Sequence, residues 1–245
     1  MSDARRDRRS GLVFGARNLG AAIIETLIDH GWAVAGAARS QATLEKVGAA
    51  GALALHADVT DQTSVRAALE QVAAEQGAVE LVVNAAAAYG GDRSGPFGGG
   101  QIADARADAF DSWAAAPARS AFTFLSATAG FLVDQGGPAT VVQVTGGSSR
   151  RAMPGRGLWA AGAFGVRAIT QAAALELRGQ GIHVALLIVD AGIEPLSGAI
   201  RAGSARETLA DPRQVADAVR FLADQGPRAA THELQLTPLA ETWVP

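Results

Sequence analysis

The stretch Gly11-Leu12-Val13-Phe14-Gly15-Ala16-Arg17-Asn18-Leu19-Gly20 decides how this chain is read. An apolar run fit for a buried strand ends in a glycine turn, and an Ala- and Ile-rich segment with helical spacing follows. Glycine allows the turn to close tightly. The unpaired N–H groups at the start of the helix then form a cradle for a pyrophosphate. The usual three-glycine form of such a turn has another glycine and one more residue, so this one is short. Gly15, Arg17, Asn18, Leu19 and Gly20 are the first candidates for nucleotide contact.

Working outward, apolar runs alternate with Ala-rich helical stretches along the chain. Strands are predicted at 11–14, 32–38, 52–56, 81–85, 140–144, 183–189 and 233–237. Helices are predicted at 19–30, 41–50, 63–76, 110–133, 159–178 and 212–224, with Asp61 or Thr60 and Asp211 as caps. This is the pattern of an α/β, doubly wound, Rossmann-type sheet of about seven parallel strands flanked by helices. Residues 11–245 read as a single domain behind a disordered arm at 1–10, which carries Arg5, Arg6, Arg8 and Arg9. Two stretches break the alternation, Gly-rich 90–101 and 194–210, and the second reads as a lid over a ligand.

Composition narrows the chemistry. Nearly half of the 245 residues are apolar and the net charge is −3, which leaves no electrostatic case for nucleic acid or an anionic membrane as partner. Cysteine is absent, so disulfides, thiolate nucleophiles and Cys-based metal sites are excluded. His30, His56, His183 and His232 have no partner at metal-ligand spacing, and no metal is expected. No apolar run is long enough to span a bilayer, and no signal-type segment follows the arginines. A cytoplasmic protein is expected. One tyrosine, Tyr89, and one lysine, Lys46, are present, and they cannot form a Tyr-x-x-x-Lys pair.

The second strand ends in Ala38-Arg39-Ser40. An acid there would hydrogen-bond a ribose 2′-hydroxyl and favour NAD. Arg39 instead offers charge to a 2′-phosphate, Ser40 adds a hydroxyl, and Arg17 stands where it could reach the same group. NADP is therefore expected over NAD.

With these residues in view, the chain resembles the short-chain dehydrogenase/reductase family over residues 11–238. The resemblance is carried by the glycine turn, Asp58-Val59-Thr60 after the third strand, and Val83-Asn84-Ala85-Ala86 after the fourth. Ala174-Leu175-Glu176-Leu177 before Gly181-Ile182-His183-Val184, and the helix from Asp211-Pro212 to Leu222-Ala223, extend it. The resemblance implies that Asp58 and Val59 contact the adenine and that Asn84, Ala85 and Ala86 line the cofactor groove. It also implies that Ile193 presents its backbone to the carboxamide, although the family's Pro-Gly is missing around Val189-Asp190.

Family members usually reduce a carbonyl, or run the reverse, with an Asn, a Ser, a Tyr and a Lys. Here Pro117 falls on the Asn position, Gly146 on the Ser, Trp159 on the Tyr and Ala163 on the Lys. The interval from 146 to 159 is the family's own. An indole N–H donates a hydrogen bond but does not release a proton near neutral pH. Thr145, Ser148, Ser149 and Tyr89 are the substitutes to consider, with Ser148 and Tyr89 foremost. Trp159 either stacks on a flat ligand or fills the vacated space. Arg150, Arg151 and Arg156 stand at the pocket mouth, as an anion site or as a solvated basic loop.

Three functions remain open at this stage. The first is an NADP(H)-binding relative without the standard hydride-transfer machinery, acting as a sensor or silent subunit. The second is an active NADPH-dependent carbonyl reductase with a non-standard proton donor. The third, a structural protein without nucleotide, leaves Arg17 and Arg39 unexplained. The resemblance implies a homodimer or homotetramer built on the two long helices and the last strand, and a small-molecule ligand or substrate.

Overall fold

The computed structural model of the chain describes residues 8–87, 95–200, 202–203 and 205–241. In chain order the elements are β1 Ser10–Phe14, α1 Leu19–Asp29, β2 Ala33–Ala38, α2 Gln41–Ala49, β3 Leu53–His56, α3 Gln62–Gln76 and β4 Val79–Asn84. There follow α4 Ala116–Gln135, β5 Ala139–Gly146, α5 Gly157–Leu177, β6 Ile182–Val189, the two-residue strands β7 Gly192–Ile193 and β8 Leu209–Ala210, α6 Pro212–Ala223 and β9 Glu233–Leu236. Seven strands pair in parallel in the order β3-β2-β1-β4-β5-β6-β9, and β7 pairs with β8 apart from them. The α/β, Rossmann-type expectation holds, and the strand order reverses between β1 and β4, where such sheets open a ligand crevice.

Both faces of the sheet are covered, which is why its strands read as continuous apolar runs. On one face Phe14, Val82 and Val141 pack against Val65 and Leu69 of α3, Phe124 of α4 and Leu177 of α5. Phe14 and Phe124 meet edge to face at 5.7 Å. On the other face Val13, Val83 and Val142 pack against Ile23 and Leu27 of α1 and Val215 and Val219 of α6. Residues i and i+2 of a strand share a face, so Gln143 and Thr145 continue the Val141 side of β5, towards α4 and α5. The Asp61 side chain accepts from the backbone N–H groups of Thr63 and Ser64 and starts α3. Asp211 does the same for α6 through Arg213.

Two local readings need correction. The arm predicted to run to residue 10 ends sooner, because Ser10 belongs to β1 and Arg9 is tied down. The Arg9 guanidinium donates to Glu80 (3.0 Å), Asp224 (2.7 Å) and the Ala223 carbonyl (2.9 Å), and lies over the Trp32 ring at 3.9 Å. Residues 1–7 lie outside the described part. The predicted helix 110–133 opens with a wide turn at Asp111–Ala115, where the Ala116 N–H reaches back to the Asp111 carbonyl. Pro117 has no N–H, so the Trp113 carbonyl loses its usual helical partner and the ladder slips by one residue. Residues 194–210 are zipped at both ends, by the β7–β8 pairing and by Glu194 N–H donating to the Ala210 carbonyl at 2.9 Å.

Candidate functional site

At the C-terminal ends of the strands the crevice divides into two adjoining cavities. The outer one, about 500 Å³, is walled by the glycine turn, the end of β2, residues 57–60, and Ala85–Ala87. Gly15, Arg17, Asn18, Leu19, Arg39, Ser40, Asp58, Val59, Ala85, Ala86 and Ile193 all line it. The turn lies so close to the end of β4 that a Cβ on Gly15 would sit 2.4 Å from the Ala86 nitrogen, and Gly15 has φ +82°. Glycine is required there on both counts. Gly20 does not line the cavity; it lies under the turn, where a Cβ would stand 2.4 Å from the Gly15 carbonyl oxygen. Asn84 belongs to the inner cavity instead.

Two polar groups of the outer cavity have partners that sequence spacing does not reveal. The Arg39 guanidinium lies 3.5 Å from the Asp58 carboxylate. Burial alone would raise the Asp58 pKa. Hydrogen bonds from the Thr60 N–H and hydroxyl, together with the Arg39 charge, outweigh it and hold the group below its ordinary value. An acid therefore stands beside Arg39 after all, contributed by the segment after β3 rather than by β2. Asn18 uses its whole amide on the segment after β6. It donates to the Glu194 carbonyl at 3.1 Å and accepts from the Leu196 N–H at 2.9 Å. Glu194 in turn pairs with Arg206 at 3.0 Å.

The inner cavity, about 540 Å³, lies between the ends of β4, β5 and β6 and the facing sides of α4 and α5. Pro117, Gly146, Trp159 and Ala163 all line it, so four positions far apart in the chain meet on one wall. Trp159 does not fill the space. It leans on Phe97 (ring centres 5.3 Å apart) and Trp113 (6.1 Å), an aromatic cluster at the cavity side. The wide turn before Pro117 allows α5 to come close, and Gly162 fits because a Cβ there would lie 2.7 Å from the Trp113 carbonyl oxygen. Asn84 donates to Gln143 at 3.0 Å and accepts from the Ala86 N–H, while Gln143 donates to the Val144 carbonyl, so both amides are committed.

The hydroxyl candidates sort differently from expectation. Ser148 does not line the inner cavity, whereas Thr145 does. The buried Ser149 hydroxyl donates to the Gly146 carbonyl at 2.8 Å. Tyr89 lies outside the described residues. Ser120 lines the cavity and is 4% exposed. It escaped the sequence reading, although it stands one helical position short of a full turn after Pro117 and so shares its face. Neither the Ser120 nor the Thr145 hydroxyl takes part in a hydrogen bond among the described residues. Arg17 is the one residue with a titratable side chain among the described lining residues.

The arginines after β5 have partners on other elements, while Arg150 and Arg156 stay exposed. Arg150 pairs with Glu233 (3.6 Å), Arg151 with Asp190 (3.3 Å), and Arg156 lies 5.4 Å from the centre of the Phe97 ring. Gln235 donates to the same Asp190 carboxylate at 3.2 Å. These pairs tie the loop after β5 to the ends of β6 and β9, which fixes the floor of the inner cavity. Among the described residues no three His, Cys, Asp or Glu side chains are grouped to hold a metal, and no helix is long and apolar enough to cross a membrane.

A parallel sheet with a tight glycine turn at its switch point defines a Rossmann-type α/β protein. Residues 12–193 match the short chain dehydrogenase family, and the chain belongs to that family. Among solved structures, a short-chain dehydrogenase from Rhodopseudomonas palustris is 23% identical with TM-score 0.70, the match covering 94% of this chain and 98% of that one. An alcohol dehydrogenase from the archaeon Thermococcus sibiricus, complexed with 5-hydroxy-NADP, is 22% identical with TM-score 0.75, covering 97% and 100%. An actinorhodin polyketide ketoreductase variant with NADPH is 22% identical with TM-score 0.74, covering 99% and 100%. At such identities the likeness is one of fold. No curated protein matches the chain.

Proposed function

We propose that this chain binds NADP(H) in the double cavity and lacks the tyrosine–lysine route for hydride transfer, serving as a sensor or a silent subunit. The observation that carries this reading is the inner wall: Pro117, Gly146, Trp159 and Ala163 lie together, and none is an acid or base at neutral pH. The residues fit the dinucleotide. The N–H groups of the glycine turn suit a pyrophosphate, and the absence of a Cβ on Gly15 lets the turn close against the end of β4. Arg39, with Arg17 and Ser40 beside it, suits a 2′-phosphate, and the neighbouring structures that carry NADP-type nucleotides agree with the choice. A bound dinucleotide supplies hydride chemistry at its nicotinamide. The chain's own part is to hold and orient that end next to Trp159 and Ile193.

The second reading, an active carbonyl reductase with another proton donor, draws on Thr145 in the inner cavity. Loss of a general acid costs roughly 10²–10⁴ in rate, so slow turnover is compatible with it. Phe122 (59% exposed), Phe164 (43%) and Leu175 (66%) on α4 and α5 support a homodimer or homotetramer through those helices.

A thermal-shift series separates these readings. Under the first, NADPH raises the unfolding temperature more than NADH does, and NADPH is not oxidised in the presence of simple aldehydes and ketones. The double variant Trp159→Tyr with Ala163→Lys then gains carbonyl-dependent NADPH oxidation. Equal or absent stabilisation by the two dinucleotides would overturn the NADP assignment, and turnover by the unaltered chain would favour the second reading.

A further inference from the structure

Residues 96–100, the end of the Gly-rich stretch after β4, line neither cavity, yet they lie directly against Trp159. We infer that Phe97, delivered by this strap, is a positioning residue that holds the Trp159 indole at the side of the inner cavity. It thereby keeps open the space for the nicotinamide end of the dinucleotide, a role that rests on the reading of the cleft given above. Gly98, Gly99 and Gly100 have φ +75°, +91° and +81°, three left-handed residues in succession, which only glycine adopts without strain. A Cβ on Gly98 would stand 3.0 Å from the Arg156 Cα and 3.2 Å from the Trp159 Cβ, and one on Gly99 would stand 2.6 Å from the Leu158 side chain. Gly100 pairs with Arg156 in a single β-bridge. The glycines therefore let the strap rest on the first turn of α5 at backbone distance.

Phe97 is what this docking places. Its ring centre lies 4.9 Å from that of Trp113 and 5.3 Å from that of Trp159, and the two indoles meet edge to face at 6.1 Å. Tilted and edge-to-face pairs at such distances attract beyond the area they bury. The Arg156 guanidinium, 5.4 Å from the Phe97 ring centre, adds a cation–π contact. Trp113 is 5% exposed, in the wide turn before Pro117, so it is the fixed member of the three; Phe97 is 50% exposed and depends on the strap. Without Phe97 the indole has another place to go. Gly146 and Ala163 line the same wall and carry little bulk, and the cavity beside them measures about 540 Å³. Swinging into it buries apolar surface, which is favourable, and takes the space away from a ligand.

Circular dichroism without nucleotide and calorimetry with NADPH test this on the full chain. The Trp113–Trp159 pair gives an exciton couplet, read as the parent spectrum minus that of Trp159→Phe. Phe97→Ala loses the couplet and weakens NADPH about tenfold, the fall expected when roughly a tenth of the molecules keep the cavity open. Gly98→Ala lifts the strap through its left-handed position and its contact with Trp159, and does the same. Phe97→Tyr keeps the ring and retains both properties. In a Trp159→Ala background, Phe97→Ala changes NADPH affinity by less than about twofold, because no indole remains to be held. Absence of the couplet from the parent, or an unchanged couplet and affinity in both Phe97→Ala and Gly98→Ala, overturns the inference. An equal loss of affinity with and without Trp159 also overturns it, since Phe97 then acts as a general prop. A parent that binds no NADPH defeats the cofactor assignment, while loss of the couplet in both strap variants still supports the placement of Trp159 by Phe97.

Discussion

Replacing Arg39 by alanine is the most direct probe of the outer cavity. The Arg39 side chain is 72% exposed and touches one acid, Asp58, at 3.5 Å. That carboxylate is held in place by Thr60, whose N–H and hydroxyl donate to it at 2.9 and 2.8 Å, so the guanidinium is the mobile member of the pair. An exposed ion pair of this kind contributes about 0–1 kcal/mol. A charge-assisted hydrogen bond to phosphate contributes about 1.5–3 kcal/mol. Moving Arg39 from carboxylate to phosphate, with an ionised Asp58 still close by, leaves a net gain of about 1–2 kcal/mol, or roughly 5- to 30-fold in affinity. Arg39→Ala should therefore weaken NADPH by that factor and NADH by less than about twofold, measured by calorimetry at low ionic strength. Raising the salt shortens the screening length, from about 10 Å at 0.1 M to about 3 Å at 1 M, and should shrink the difference between the two dinucleotides. If the variant loses affinity for NADPH and NADH by the same factor, Arg39 does not read the 2′-phosphate and the argument fails.

Gly15→Ala should abolish dinucleotide binding and destabilise the chain by roughly 2–5 kcal/mol, because the new methyl meets backbone atoms of Ala86 at 2.4–2.6 Å at a left-handed position. An unchanged unfolding midpoint would refute this. Glu233 accepts from Arg167 at 2.8 and 2.9 Å and from Gln171. Burial pushes its pKa up, but those hydrogen bonds and the charges of Arg167 and Arg150 bring it below the ordinary 4.5. A depressed carboxylate stabilises the fold above its unfolded pKa, and that contribution disappears as the pH falls through the folded value. Glu233→Gln should lower stability at pH 7 by about 1–3 kcal/mol and flatten the acid side of a stability-versus-pH curve below about 4.5. An acid limb as steep as the parent's would count against it. Asn18→Ala removes both ties to the segment after β6 and should raise protease cleavage within 197–208, read by mass spectrometry, while leaving the unfolding midpoint within roughly 2 °C because the site is at the surface. Unchanged cleavage would show that the β7–β8 pairing alone holds that segment.

Much of the crevice was legible in the chain itself. The strand and helix order needed only local periodicity, and boundaries moved by two residues at most, except that α4, predicted from 110, begins at Ala116. The glycine turn announced itself because Gly15 must adopt φ +82° against Ala86, which few other residues tolerate. The convergence of Pro117, Gly146, Trp159 and Ala163 was legible through spacing, because strands and helices of fixed rise deliver their ends to predictable heights. Where reading by spacing failed, the cause was local backbone geometry that departs from the regular period. Ser148 was foremost among the serine candidates, yet the loop turns it off the cavity wall; Ser120 was overlooked on a helix whose opening is reshaped by the missing N–H of Pro117.

The sequence alone determined which architecture this chain builds and that its one tyrosine and one lysine, Tyr89 and Lys46, do not form a Tyr-x-x-x-Lys pair. The apolar period of each segment follows from nearest-neighbour geometry. The tertiary structure alone decided which charges are available. It set Asp58 beside Arg39 across 19 residues, Asp190 beside Arg151 across 39, and Asn18 against Glu194 across 176. Such pairings depend on how whole layers pack around a shared sheet, and side-chain electrostatics over a few ångströms leaves no periodic trace along the chain.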